Sequence, residues 1–296
     1  MRAYSPSRMR GTTFQMRSVW KRMTYKIQQL SLGGVLDQAI SIVKDHFGVL
    51  FSIMLIVLVP FSLITGFLQL AIAPPLPENP TTADFEQVQQ AYVTYWPLFT
   101  LFGLINGLFI LPLTNASVIY AVAKLYLGKP ISAIGAISQG MKRIIPLIGT
   151  SILMYLAVFG GLILLIIPGI LFALWFGLSQ HVVVIEEESG TKALGRSKKL
   201  VRPHLGTFLM LGIVMFAITF GVGLMGGLVT QPHLSLIVST LLHAATTILW
   251  TAAGVVFYFS CRCAEENFDL YYLAEAIGEE PQEAEDFTAP SYSRDM

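Results

Sequence analysis

The chain is 296 residues long, 54% hydrophobic and 12% charged, with a mean hydropathy of +0.65. Soluble domains carry about 25% charged residues, so this composition excludes one or two ordinary soluble domains, which could not cover their surface. A net charge of +1 excludes a global field that would draw nucleic acid, and the two cysteines, Cys261 and Cys263, exclude a disulfide framework.

Residues 1–30 are rich in Arg and Lys, contain no acid, and lack the apolar core of a secretory signal. They read as a basic cytoplasmic tail. An Arg-rich organelle transit peptide has a similar composition, and Met9, Met16 and Met23 allow an over-extended start. Over 35–47, Leu36, Ala39, Ile40, Val43 and Phe47 share one helix face, with Asp37, Ser41, Lys44 and Asp45 away from it. A bilayer core takes about 20 apolar residues per helix, and the first span is predicted at about 47–73. The second is predicted at about 96–123, with Pro112 as a kink that neighbouring helices accommodate.

A second amphipathic stretch, 131–144, sets Ile131, Ile134, Ile137, Met141 and Ile144 against Gln139, Lys142 and Arg143. The charge-free run 144–185 is two helix lengths, divided at Leu165-Ile166-Ile167-Pro168-Gly169. Proline suits the first turn of a new helix and glycine allows a tight bend. This predicts spans at about 145–165 and 168–186, with Pro168 and Gly169 as the structural turn. Gly169, Ala173 and Gly177 form a small-residue stripe suited to close helix contact. His181, beside Gln180, reads as a hydrogen-bonded packing residue.

The third amphipathic stretch, 191–202, opposes Ala193, Leu194, Ser197, Leu200 and Val201 to Lys192, Arg196, Lys199 and Arg202. The run 203–261 divides at Thr230-Gln231-Pro232-His233, predicting spans at about 206–229 and 234–259. Gly223 and Gly227 form a second small-residue stripe, read as packing within the chain. His243, near Thr246 and Thr247, again reads as a packing residue. Residues 265–278 carry an apolar stripe that includes Phe268, lined by Glu265, Glu266, Asp269 and Glu275. The acidic end of the chain reads as a solvated tail rather than one docked on the basic helices. Residues 279–296 read as an acidic disordered tail.

The 19 Lys and Arg residues all fall on one side of this six-span plan, and that side is expected to be cytoplasmic, with both termini there. A short amphipathic helix with basic residues on its polar face lies well in the headgroup layer; a plain connector is the alternative reading of all three. The expected fold is all-α, a polytopic membrane bundle over 31–278, arranged as three pseudo-repeated units of one interfacial helix and a two-span hairpin.

Two segments carry a family resemblance. One is Gly160-Gly161-Leu162-Ile163-Leu164-Leu165-Ile166-Ile167-Pro168-Gly169-Ile170, followed by Val182–Glu186 and Ala193-Leu194-Gly195-Arg196-Ser197-Lys198-Lys199-Leu200. The other is Tyr258-Phe259-Ser260-Cys261-Arg262 with Asn267-Phe268-Asp269-Leu270. Together they resemble the six-span bacterial membrane domain fused to some glycerophosphodiester phosphodiesterases, and related inner-membrane proteins. The resemblance implies a helical fold in a bacterial inner membrane and brings no established activity. That family typically has Asp where this chain has Ser260 and Gly where it has Asn267.

The spans contain no Asp, Glu, Lys or Arg, and no HExxH, P-loop or GxSxG pattern occurs. This weighs against proton- or sodium-coupled transport and against hydrolysis by paired carboxylates. The chain is expected to be non-enzymatic, to need no cofactor or metal, and to partner membrane lipids, another membrane protein or a second copy, not nucleic acid. The candidate contacts to anionic lipid are Lys44, Lys142, Arg143, Lys192, Arg196, Lys199 and Arg202. The alternative is a transporter or channel for an apolar or lipid-like solute, marked by a wide polar cavity lined by Asn106, Asn115, Gln180 or His243.

Overall fold

The computed structural model describes residues 25–72, 79 and 81–270, and every regular element among them is helical. In chain order these are α1 (Leu32–Asp45), α2 (Phe47–Ile72), α3 (Thr82–Ile105), a π-helical stretch (Asn106–Ile110), α4 (Leu111–Tyr126) and α5 (Ala133–Lys142). There follow α6 (Ile144–Leu164), α7 (Ile166–Phe176), α8 (Ser179–Ile185), α9 (Gly190–Val201), a 3-10 turn (Arg202–His204), α10 (Leu205–Gly227) and α11 (Pro232–Glu266). Six helical stretches are long and apolar enough to cross a bilayer: Phe47–Ile72, Thr82–Tyr126, Ile144–Leu164, Ile166–Ile185, Gly190–Gly227 and Pro232–Glu266. The chain is a multi-pass membrane protein with an all-α bundle fold.

Each predicted span lies within one of these stretches or within two residues of its ends, and the larger departures have physical causes. The second helix starts at Thr82, well before 96, because Thr81 and Asp84 form a reciprocal capping box. The residues that follow favour helix over loop. Pro112 is the second residue of α4, just after the π-helical stretch. Proline donates no backbone hydrogen bond, and a π register slip absorbs that loss without ending the helix.

The α6–α7 turn is a single extended residue, Leu165. It closes this tightly because Gly161 and Gly169 meet backbone to backbone; a Cβ built on Gly169 would lie 2.8 Å from the Leu162 nitrogen. Gly177 likewise admits Phe208. The stripe Gly223 and Gly227 does not pack as expected: a Cβ on either meets nothing, and it is Gly226 that faces α11, at Ser239.

Residues 25–30 do not belong to a free tail. Tyr25 and Ile27 are 5% and 2% exposed. The Leu30 N–H donates to Ser260 Oγ at 2.8 Å, and Tyr126 Oη donates to the Lys26 carbonyl at 2.8 Å. The folded body therefore includes this segment. Residues 1–24 and 271–296, which hold the rest of the expected basic tail, most of the last amphipathic stretch and the acidic tail, lie outside the described residues.

The order of one short helix and two spans recurs three times. The short helices are not packed alike: α1 lies on α11 and α2, α5 lies on α4 and α2, and α9 is wedged among α6, α7 and α8. The C-terminal half of α11 is the axis of the bundle, with Ala252, Val255, Val256, Tyr258 and Phe259 buried among these elements. The other large buried side chains, among them Ile42, Leu50, Leu147, Leu178 and Leu200, gather at the same end. At the opposite end Ile163, Ile167 and Leu228 are exposed, which lipid tolerates and water would not.

Candidate functional site

The densely packed end is also the basic end. Here α1 and α5 start from serine caps: Ser31 Oγ accepts from the Gly34 N–H and Ser132 Oγ from the Gly135 N–H. Both helices divide their apolar residues between two directions. On α1, Val35, Ala39 and Ile42 pack inward, while Ile40 stays exposed, as does Phe47 at the start of α2. On α5, Ala136 and Gly140 pack on α4, and Ile134 and Met141 stand exposed at 74% and 58%. Of the predicted faces, Leu36, Ala39 and Val43 of α1, and Ile137 of α5 with Ile131 just before it, pack on the core, while Ile40, Ile134 and Met141 stand out from it. α9 differs, because its whole predicted stripe, Ala193, Leu194, Ser197, Leu200 and Val201, is buried in the bundle.

The seven candidate basic residues divide accordingly. Lys44, Lys142, Lys192, Lys199 and Arg202 are exposed. Arg143 pairs with Glu187 instead. Arg196 is taken into a charge cluster: its Nε and second terminal nitrogen donate to the two oxygens of Glu186 at 2.8 and 3.1 Å, and it also pairs with Glu266. Arg262 Nε donates to Glu266 at 3.0 Å, and Tyr258 Oη donates to Glu186 at 2.5 Å. Glu265 lies 3.2 Å from His204 Nε2. Two arginines and two glutamates so tie the end of α8, α9 and α11 together. Glu265 and Glu266 are thus docked on the α9 segment.

Ser197 has a separate task. The fourth span is broken at Gly177–Leu178, between α7 and α8. Ser197 Oγ reaches from α9 into the break, accepting from the Leu178 N–H at 3.1 Å and donating to the Trp175 carbonyl at 2.7 Å. A buried backbone break would otherwise leave these groups unpaired. At the N-terminal side, Tyr25 Oη donates to Asp45 at 2.9 Å; burial, then this bond, raises its pKa, so the phenol stays protonated and remains a donor.

Ser260 and Asn267 each have a clear local role. Ser260 supplies the acceptor for Leu30. Asn267 ends α11 in the left-handed conformation at φ 52°, which glycine and asparagine adopt most readily. Cys261 and Cys263 are free thiols buried at the base of α11.

The interior polar residues do not make a wide polar cavity. Asn115 Nδ2 donates to Gln180 Oε1 at 3.2 Å, closing that pair. Asn106 borders a crevice of about 290 Å³ with Phe61, Gln69 and Tyr92. Asn115, Thr219, His243 and Trp250 border another of about 270 Å³, whose walls are mostly apolar. His243 is exposed, and no hydrogen bond of normal geometry reaches either nitrogen of buried His181. The packing role expected of both histidines therefore fails for His243, and His181 is buried without the expected bond. His181 lies on a further apolar crevice, of about 230 Å³, between α7–α8, α10 and α11. Among the described residues no three His, Cys, Asp or Glu come together as metal ligands. No protein-family model, curated protein or solved structure matches the chain.

Proposed function

We propose that this protein is a non-enzymatic, lipid-interacting organiser of the membrane, with its basic end on the cytoplasmic side binding anionic headgroups. One observation carries the reading: Lys44, Lys142, Lys192, Lys199 and Arg202 stay exposed at one end, and Ile40 beside Lys44 on α1, and Ile134 and Met141 beside Lys142 on α5, stand exposed with them. A helix that offers cations and exposed apolar side chains together sits at the headgroup–acyl boundary, and each basic residue near an anionic surface contributes roughly 1 kcal/mol. The bias of the described basic residues to this end supports its cytoplasmic placement. The resemblance to the bacterial six-span domain supports an inner-membrane setting.

The test is native mass spectrometry of the detergent-extracted protein with equal phosphatidylglycerol and phosphatidylcholine. Phosphatidylglycerol adducts are expected to dominate and to fall in a Lys142→Gln, Lys192→Gln, Lys199→Gln variant. Equal retention of both lipids, unchanged in the variant, overturns the reading. The same spectra report bound protein partners and copy number.

The second reading, passage of an apolar or lipid-like solute, rests on the crevices in the bundle wall. Their small, mainly apolar volumes favour a bound chain over a permeation path.

A further inference from the structure

The crevice between α7–α8, α10 and α11 combines three features that belong together. Its wall is hydrocarbon: Leu174, Leu178, Phe208, Leu211, Met215 and Trp250 line it. Its volume, about 230 Å³, exceeds the roughly 150 Å³ apolar cavity that holds a benzene molecule. It contains a single titratable side chain, His181, which is more than nine-tenths buried. The Thr251 backbone carbonyl is within its reach, yet neither ring nitrogen makes a hydrogen bond of normal geometry. A buried imidazole needs at least one partner, and leaving it unmade costs about 1–3 kcal/mol.

The polarity of the crevice is graded along the bilayer normal. His181, Phe208 and Gly254 lie toward the basic end of their helices, and Ala173, Leu174, Met215 and Trp250 lie deeper. His181 is four residues from the end of the fourth span, roughly 6 Å along a helix. That is the depth at which a lipid of the adjoining leaflet changes from hydrocarbon to ester or carboxyl oxygen. Trp250 is 49% exposed, so the crevice reaches the lipid-facing surface. The break at Gly177–Leu178 lines the same space; glycine at 177 leaves room there for Phe208.

We propose that this crevice holds one hydrocarbon chain of an amphiphile from the leaflet at the basic end, with His181 hydrogen-bonded to the oxygen at the head of that chain. An acyl chain with its terminal ester or carboxyl group is the chemistry that fits, drawn from a bilayer phospholipid or from a free fatty acid. The site is separate from the exposed lysines, which face headgroup phosphate from outside the bundle.

The experiment uses the full chain in nanodiscs with three diazirine probes: a phospholipid, a free fatty acid, and a hydrocarbon with no oxygen. Adducts mapped by mass spectrometry are expected on the α7–α8, Leu211–Met215 and Trp250 segments. Gly212→Phe fills the space, and a Cβ at that position meets nothing within 4 Å. It is expected to remove these adducts for every probe. His181→Leu is expected to lower labelling by the oxygen-bearing probes about fivefold, the worth of one neutral hydrogen bond, and to leave the hydrocarbon probe unchanged. Preference for the phospholipid or for the fatty-acid probe identifies the source, and either supports the site. Labelling spread evenly over exposed Ile163, Phe216 and Leu228, or unchanged in Gly212→Phe, overturns it. Equal loss of all three probes in His181→Leu overturns the role of His181. The two variants lie on different helices, so a folding defect in one leaves the other to decide.

Discussion

Among single residues, the two with most at stake are neighbours. Arg196 and Ser197 leave the same turn of α9 in different directions, one to the charge cluster and one to the broken span. The sequence places both on the helix and assigns Ser197 to its buried face. It assigns Arg196 to the lipid-facing set, because a spacing argument sees only which residues share a face. Arg262 and Glu266, one turn apart on α11, lie far along the chain from Glu186, and only the packing of α8 and α11 brings them to it. The break bridged by Ser197 is equally silent: Phe176-Gly177-Leu178 is a glycine in an apolar run, with no proline or polar cluster to mark an end.

Removing one member of a largely buried ion cluster leaves its partners uncompensated. Arg196→Gln is expected to destabilise by about 2 kcal/mol, discounted from fully buried pairs because these side chains retain some exposure. Lys199→Gln, exposed on the same helix, is expected to have little effect, within about 0.5 kcal/mol. Ser197→Ala is expected to cost about 2 kcal/mol by orphaning the Leu178 N–H and Trp175 carbonyl. Thermal unfolding of the detergent-solubilised protein compares the three; equal midpoints for Arg196→Gln and Lys199→Gln would deny the cluster its role.

For whole elements, sequence reading succeeds where the bilayer dictates length and fails where a neighbour dictates contact. Runs of charge-free apolar residues locate all six spans, and the Leu165–Gly169 run locates the α6–α7 turn, although the turn itself is Leu165 and Pro168 and Gly169, expected to form it, already lie in the first turn of α7. Spacing also finds the three short helices. It cannot tell that the exposed apolar side chains of α5 point outward while the stripe of α9 is buried, since both patterns are amphipathic. The glycine stripes make the same point. Gly169 and Gly177 are needed for close contact, whereas a Cβ on Gly223 or Gly227, at the same four-residue spacing, meets nothing within 4 Å among the described residues. Gly169→Val is therefore expected to destabilise by 3 kcal/mol or more, roughly the upper range for overpacking, because backbone must move. Gly223→Ala is expected to be neutral or slightly stabilising, since alanine favours helix by up to about 1 kcal/mol. Unfolding midpoints of the two variants in one detergent check the contrast; a similar loss in both would place a partner against Gly223.

At the scale of the molecule, the fold concentrates its specific packing at one end. The buried aromatic axis of α11, the segment 25–30, all three short helices and the charge cluster meet there, and the far end is a fringe of exposed hydrocarbon. This uneven distribution links structure to the proposed role, because a rigid basic end presents fixed cations to a headgroup layer while the spans stay free to contact lipid. The charge bias along the chain makes this end visible in the sequence, although its rigidity arises from contacts the sequence does not spell out.

The account stands on which side of the membrane that end occupies. A membrane-impermeant maleimide applied to intact cells distinguishes the sides, with the buried Cys261 and Cys263 giving a low background. Gln87→Cys, exposed near the start of α3, is expected to label in intact cells, and Lys129→Cys, exposed in the α4–α5 turn, only after permeabilisation. Labelling of Lys129→Cys in intact cells, with Gln87→Cys protected, would contradict the account.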